Sequence, residues 1–309
     1  MTLIPLAAAA VLTAGLFAQP QQAKKQPQPF VPPDLANVAY GPHERNVFDL
    51  WKAKSAGPTP LVIHIHGGGF GMGDKSQVSR MILEGCLKNG ISVASINYRY
   101  STQAPYPAPM ADSARAVQFL RLHAAEYNLN PKAFAATGGS AGAGISLWIG
   151  FHDDMADLKS GDPVLRQSTR LSSMFVTAAQ TTYDPRTIAT LIGEKTARHN
   201  ALRLLFDVKS GVDPLEAADR FKAYEDGSPI THLSAGDPPV FLYYPHSNTP
   251  LPPENNDIGI HHPKFGYFLK ERMDKLGIEC TVKVKEDYEQ KQTQYSLDVM
   301  NFFLKHFLN

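Results

Sequence analysis

Cysteine is scarce: Cys86 and Cys280 are the only two in 309 residues. That excludes a disulfide framework. Buried free thiols are the expectation, with one bridge left open. An excess of either charge is also lacking, since 30 Lys and Arg face 29 Asp and Glu for a net +1. Nothing in that balance points to nucleic acid or to an anionic membrane surface as a partner. The apolar stretch at residues 3–17 is too short to span a bilayer comfortably, so no stable membrane insertion is expected. No internal repeat is visible. Metal-ligand spacing is missing as well: His152, Asp153 and Asp154 are adjacent with no further ligand cluster, which reads as a solvated loop. Neither a cofactor nor a metal is expected.

Residues 1–18 read as an export signal peptide, with Leu16-Phe17-Ala18 before Gln19 as the cleavage site. The stretch before the apolar run carries no Lys or Arg, and the alternative is an amphipathic or disordered tail. Residues 19–33, rich in Gln, Pro and Lys, read as a disordered linker. Export would place the protein in the periplasm or outside the cell. Residues 34–309, in a chain that is 43% hydrophobic, suffice for one large core.

The most informative stretch is Gly138-Gly139-Ser140-Ala141-Gly142, a G-x-S-x-G pattern. A strand-like run at 133–137 precedes it and a small-residue helical run at 143–150 follows. A serine on such a strand-to-helix turn is forced outward, and small flanking residues let the two elements approach. The turn also sets the amide of Ala141 at a helix N-terminus, where N–H groups lack intrahelical partners. A second motif strengthens the first. The β-branched run 61–65 reads as a buried strand and ends in His66-Gly67-Gly68-Gly69-Phe70. Consecutive glycines at a strand end leave backbone amides bare enough to face a developing oxyanion. An HGGG segment ahead of G-x-S-x-G, each after a strand, is the lipase and esterase arrangement.

With Asn97-Tyr98-Arg99-Tyr100 and Ser228-Pro229-Ile230, these motifs make the chain resemble the α/β-hydrolase carboxylesterases of the hormone-sensitive-lipase and bacterial feruloyl-esterase-like (BD-FAE-like) group. The resemblance covers roughly residue 36 to the C-terminus. It implies an α/β-hydrolase fold, with a mostly parallel sheet and helices on both faces. The strand–helix alternation agrees with that. It also implies a serine hydrolase cleaving small-molecule carboxylic esters, acylated carbohydrates among them. Ser140 would be the nucleophile, and Gly67, Gly68 and Ala141 the oxyanion hole.

Residues 181–230 interrupt the rhythm with helical runs at 187–206 and 214–224. They are expected to form a small helical cap over the catalytic rim, or else a packing excursion. Other elements are expected at 38–40 and 46–51 (strands), up to 88 (helix), 91–97 (strand), 111–127 (helix), 171–179 and 240–244 (strands), 263–276 (helix), 279–285 (edge strand) and 295–307 (helix).

The rest of the family's triad does not map directly. Its His-Gly-x-x-Asp-x-x-Val-Pro pattern corresponds to residues 244–252, where Asn248 stands in the aspartate's place. Its histidine belongs just after the last strand, where 285–290 has none. One rearrangement fits. The loop after the 240–244 strand opens at the same rim as Ser140 and carries His246, Asp257, His261 and His262. The expectation is that His261 or His262 points at Ser140 as base, with Asp257 or Asp287 as the orienting acid. The alternatives are that the histidine pair only caps and packs the next helix, and that the chain is a degenerate hydrolase acting as a ligand-binding module.

Overall fold

The computed structural model describes residues 31–307. The expected signal peptide and residues 19–30 of the expected linker lie outside the described residues. Val31, at the linker's end, accepts a hydrogen bond from Trp51 Nε1 at 2.9 Å, so the chain is already tied to the sheet there.

Eight strands form one sheet: β1 (Leu35–Ala39), β2 (Val47–Trp51), β3 (Thr59–Ile65), β4 (Ser92–Ile96), β5 (Leu129–Gly139), β6 (Met174–Thr177), β7 (Val240–Tyr244) and β8 (Cys280–Val284). Their order is β1-β2-β4-β3-β5-β6-β7-β8. β2 runs antiparallel to β1 and β4, and the remaining pairs are parallel. The helices are α1 (Arg80–Lys88), α2 (Ala108–Leu122), α3 (Ala124–Tyr127), α4 (Ala141–Phe151), α5 (Pro185–Leu191), α6 (Glu194–Ala197), α7 (Asn200–Leu205), α8 (Phe221–Gly227), α9 (Pro229–His232), α10 (Asn256–Ile260), α11 (Lys264–Lys275) and α12 (Gln292–Phe307). This is the α/β-hydrolase architecture.

The central strands are buried on both faces, which is why they read as near-continuous apolar runs. In β3, Leu61, Ile63 and Ile65 join a core with α2, α4 and α11. Val62 points the other way, into a second core with Ile82 and Leu83 of α1 and Val299 and Phe303 of α12. Each such side chain contributes roughly 1.5–3 kcal/mol by leaving water. Both cysteines are buried and free.

Several helices differ from their expected extents. α2 begins at Ala108, because a proline in the first turn costs no helical hydrogen bond. The expected helix up to Lys88 is broken: a 3₁₀ turn at Lys75–Gln77 precedes α1, whose N-cap is Ser79. The run 187–206 becomes three short helices, since Gly193 (φ 140°) and His199 as N-cap interrupt it. The insertion's ends are pinned together. Ser228 Oγ accepts from Tyr183 N at 2.8 Å, and Ile230 N donates to Thr181 O at 3.0 Å.

Candidate active site

The sheet register places the site. Ile65 lies opposite Gly138, and Gly139 opposite Thr177, which in turn lies opposite Tyr243. The residues that follow the ends of these four strands, His66, Ser140, Ala178 and Pro245, therefore emerge along one edge.

Ser140 sits between β5 and α4 with φ 51° and ψ −119°. For a non-glycine residue that conformation costs on the order of 1–3 kcal/mol. Ser140 N donates to Thr177 O at 2.9 Å, and the tight turn aims the side chain off the sheet edge. Its hydroxyl makes no capping bond to α4. It lies instead 2.8 Å from His261 Nε2.

His261 ends α10, and its Nδ1 is 3.0 Å from the backbone oxygen of Asp257. A carbonyl can only accept, so Nδ1 carries the proton and Nε2 presents its lone pair to the serine O–H. Burial is the largest influence on His261 and lowers its pKa below the ordinary 6.5, opposed by the bond to Asp257 O. The ring of His246 lies near-parallel at 6.3 Å and adds to the lowering.

The other expected members fall elsewhere. His262 is buried and turned away: Nδ1 accepts from Lys264 N at 3.0 Å and Nε2 donates to Thr249 O at 3.0 Å. It caps and packs the entry to α11. Among the described residues no carboxylate sits on His261 Nδ1. Asp257 supplies its main-chain oxygen, while its carboxylate, 94% exposed, reaches toward His199 Nε2 at 3.8 Å. Asp287 accepts from Val284 N at 2.8 Å and lies 3.7 Å from Lys283, closing the turn after β8. Asn248 is exposed.

The glycine turn lies against Ser140. Gly68 (φ 109°) and Gly69 (φ 57°) adopt a left-handed backbone that L side chains rarely take. His66 supports the turn from below. Nδ1 donates to Gly67 O at 2.7 Å, Nε2 meets Arg45 Nη2 at 3.2 Å, and the ring stacks on Tyr98 at 4.3 Å. Burial lowers the His66 pKa to about 4, so it stays neutral.

Two cavities meet at Ser140 and His261. One, of about 330 Å³, is lined by Gly68, Ala141, Tyr183, His199, Leu202 and Ile260 among others. His199 and Leu202 belong to the insertion, so the insertion forms part of its wall. The other, of about 540 Å³, runs past Gly67, Gln77, Thr177, His246 and Tyr295. Sequence reasoning did not single out His199 or the buried Gln180, which also borders the smaller cavity. Neither falls in a motif.

The chain resembles known proteins in the same terms. Residues 48–257 match the family model BD-FAE. That match ends four residues before His261. The probable carboxylic ester hydrolase LipM of Mycobacterium tuberculosis is 28% identical over 220 residues, covering 70% of this chain and 48% of LipM. Esterase LipQ of the same organism is 25% identical over 222 residues, covering 70% of this chain and 49% of its own. The chain thus spans about half the length of these curated relatives. Among solved structures, a truncated carbohydrate esterase from gut microbiota superposes with a TM-score of 0.68 at 20% identity, covering 89% of this chain and 96% of that one. The propionate-bound Est2 esterase of Thermogutta terrifontis gives 0.60 at 19% identity, covering 86% and 92%. At such identities the structural likeness speaks for the fold, whereas the family model takes in most of the domain, including the glycine turn and Ser140: the chain belongs to the BD-FAE family.

Proposed function

We propose that this protein is a serine esterase cleaving small carboxylic esters through an acyl-enzyme on Ser140. The observation that carries the reading is the 2.8 Å contact between Ser140 Oγ and His261 Nε2, with the proton held on Nδ1 by Asp257 O. A serine hydroxyl is a weak nucleophile near neutral pH and needs a base within about 2.6–3.2 Å. As Ser140 Oγ bonds to the ester carbonyl carbon, its proton passes to His261 Nε2. Amides of Gly67, Gly68 and Ala141 hold the oxyanion, and losing one such donor costs about 10²–10³ in rate. The C–O bond then breaks and His261 returns the proton to the leaving alcohol. Water, activated by the same imidazole, releases the acid. The names of LipM and LipQ support ester chemistry, and that of the gut esterase admits an acylated carbohydrate. The insertion, as wall of the smaller cavity, takes part in choosing the substrate.

The test is hydrolysis of p-nitrophenyl acetate across pH. His261 must be neutral to accept the proton, so kcat/KM rises with pH through its pKa. Burial holds that pKa below 6.5, and the half-maximal point is expected below pH 6.5. An acid limb that persists unchanged in the residual activity of His261→Ala would remove His261 as its source.

A second reading, a degenerate hydrolase that binds esters without turning them over, is favoured by one observation: among the described residues no carboxylate reaches His261 Nδ1. The carbonyl selects the correct tautomer but brings no full negative charge to the imidazolium. Asp257→Asn removes only a solvated through-space charge, so turnover should fall by less than about tenfold, against roughly 10⁴ when a triad aspartate becomes asparagine. Asp287→Asn should leave turnover unchanged. A loss near 10⁴ for Asp257→Asn would show that its carboxylate swings onto the ring in the working enzyme.

A further inference from the structure

The hydrogen bond from His261 Nδ1 to Asp257 O lies within α10 and its C-cap. It orients the ring relative to that short helix. It cannot hold the helix against Ser140, because donor and acceptor move together. In a triad, a carboxylate from elsewhere in the fold does both. Here another group must anchor α10 to the sheet edge.

We propose that Gln180 is the positioning residue for His261, an inference that rests on the serine-esterase reading. Gln180 is 3% exposed and follows β6. Its Nε2 donates to Ile260 O at 2.7 Å and to Ala178 O at 3.0 Å. Both partners are carbonyls, so the amide nitrogen is the atom that must face them. Ile260 O belongs to the peptide bond whose nitrogen is that of His261, so Gln180 grips the base by its own main chain. The other end of the grip is rigid. Ala178 takes a left-handed φ of 51° directly after β6, and its N–H donates to Tyr243 O at 2.8 Å. Thr177, one residue earlier, accepts from Ser140 N at 2.9 Å.

These links form a closed ring: Ser140, Thr177, Ala178, Gln180, Ile260, His261, and back to Ser140 across 2.8 Å. The insertion also meets this loop: buried Thr196 of α6 packs on Gly259 of α10, and two polar contacts run from Lys195 Nζ to Glu254 O at 3.3 Å and from His199 Nε2 to Asp257 Oδ1 at 3.8 Å. Both polar contacts involve exposed groups, and solvent screens them. The Gln180 contact to Ile260 is buried.

Gln180→Ala should lower kcat about 10–100-fold, as small misplacements of a catalytic group do, while KM stays within about threefold. Gln180→Glu keeps the shape but, when ionised, sets a carboxylate against two carbonyl oxygens. Protonated, it can donate to one of them. Its activity relative to wild type should therefore rise as pH falls. The titratable groups bordering the same cavity are Tyr183, His199, Asp257 and His261, and wild type, which shares them, is the reference at each pH.

A second readout does not need turnover. Imidazole ¹⁵N NMR of His261, assigned by its loss in His261→Ala, should show Nδ1 protonated in both wild type and Gln180→Ala, because Asp257 O moves with the ring, while the Nε2 resonance carries the shift of a hydrogen bond from Ser140 in wild type and loses it in Gln180→Ala. Unchanged kcat and an unchanged Nε2 resonance in both variants would overturn the proposal. If Gln180→Ala does not fold, Gln180→Glu and the similarly shaped Gln180→Met decide by the same readouts. If wild type hydrolyses no ester yet the Nε2 resonance depends on Gln180, the esterase reading fails and the positioning role stands.

Discussion

Ser140→Ala should abolish hydrolysis of short-chain esters, and His261→Ala should lower turnover by about as much, on the order of 10⁴-fold or more. The two are expected to be equivalent because each holds half of one proton transfer. Without the hydroxyl there is nothing to acylate. Without His261 Nε2 the hydroxyl keeps its proton, and neither of the other two histidines of that loop takes its place. His262 is spent on Thr249 O and Lys264 N, and His246 lies beyond the ring of His261. The double variant should be no worse than either single one, since residues acting as a unit are not additive. A fluorophosphonate probe should label wild type at Ser140, label His261→Ala far more slowly, and leave Ser140→Ala unlabelled. His261→Ala retaining a tenth of wild-type turnover would remove it as the base. Negligible wild-type turnover would make the ester-binding module the better account.

Gly142→Ala should be the most damaging single-methyl change tested for stability. A Cβ there would lie 2.0 Å from Ile65 O and 2.6 Å from His66 O. Both atoms are main chain at the end of β3, held in the sheet, so neither can give way. Helix α4 must move outward instead, against a two-sided core. Overpacking of this kind costs typically 1–3 kcal/mol and more where the obstacle is backbone, so about 3 kcal/mol is expected. The melting temperature should then fall by about 5–10 °C. Activity should fall as well, because the same shift separates Ser140 from the glycine turn. Gly161→Ala, whose Cβ meets nothing within 4 Å, is the control and should be neutral. A Gly142→Ala melting temperature within a degree of wild type would show that α4 does not rest on β3 as described.

Much of this protein was legible because its central strands are local signals. A strand buried on both faces must be apolar along its whole length, so 61–65 and 240–244 announce themselves, and β7 falls on the expected residues. The turn at Ser140 and the glycine turn were legible for a related reason. Each needs a backbone that few residues tolerate, and Gly68, Gly69 and Gly142 record that need in sequence.

The other half of the site depends on contacts between distant segments. Helix α10 is five residues long, too short to show a period, and its N-cap Asn255 sits in a run of polar residues. Two adjacent histidines offered themselves as base, and the end of that helix decided between them: His261 meets Ser140, 121 positions away, while His262 turns to Thr249. The partner of His261 Nδ1 was invisible in principle, because Asp257 offers its main-chain oxygen and every residue has one. Gln180 lay outside every motif, since its role exists only where β6 and α10 meet. By itself the sequence determined the sheet, the strand-to-helix turn at Ser140 and the glycine turn, since each is imposed by backbone or burial constraints on neighbouring residues. Only the tertiary structure decided which histidine meets Ser140, what its ring bonds to and what holds its helix, because those are matters of a few ångströms between segments that the chain order keeps apart.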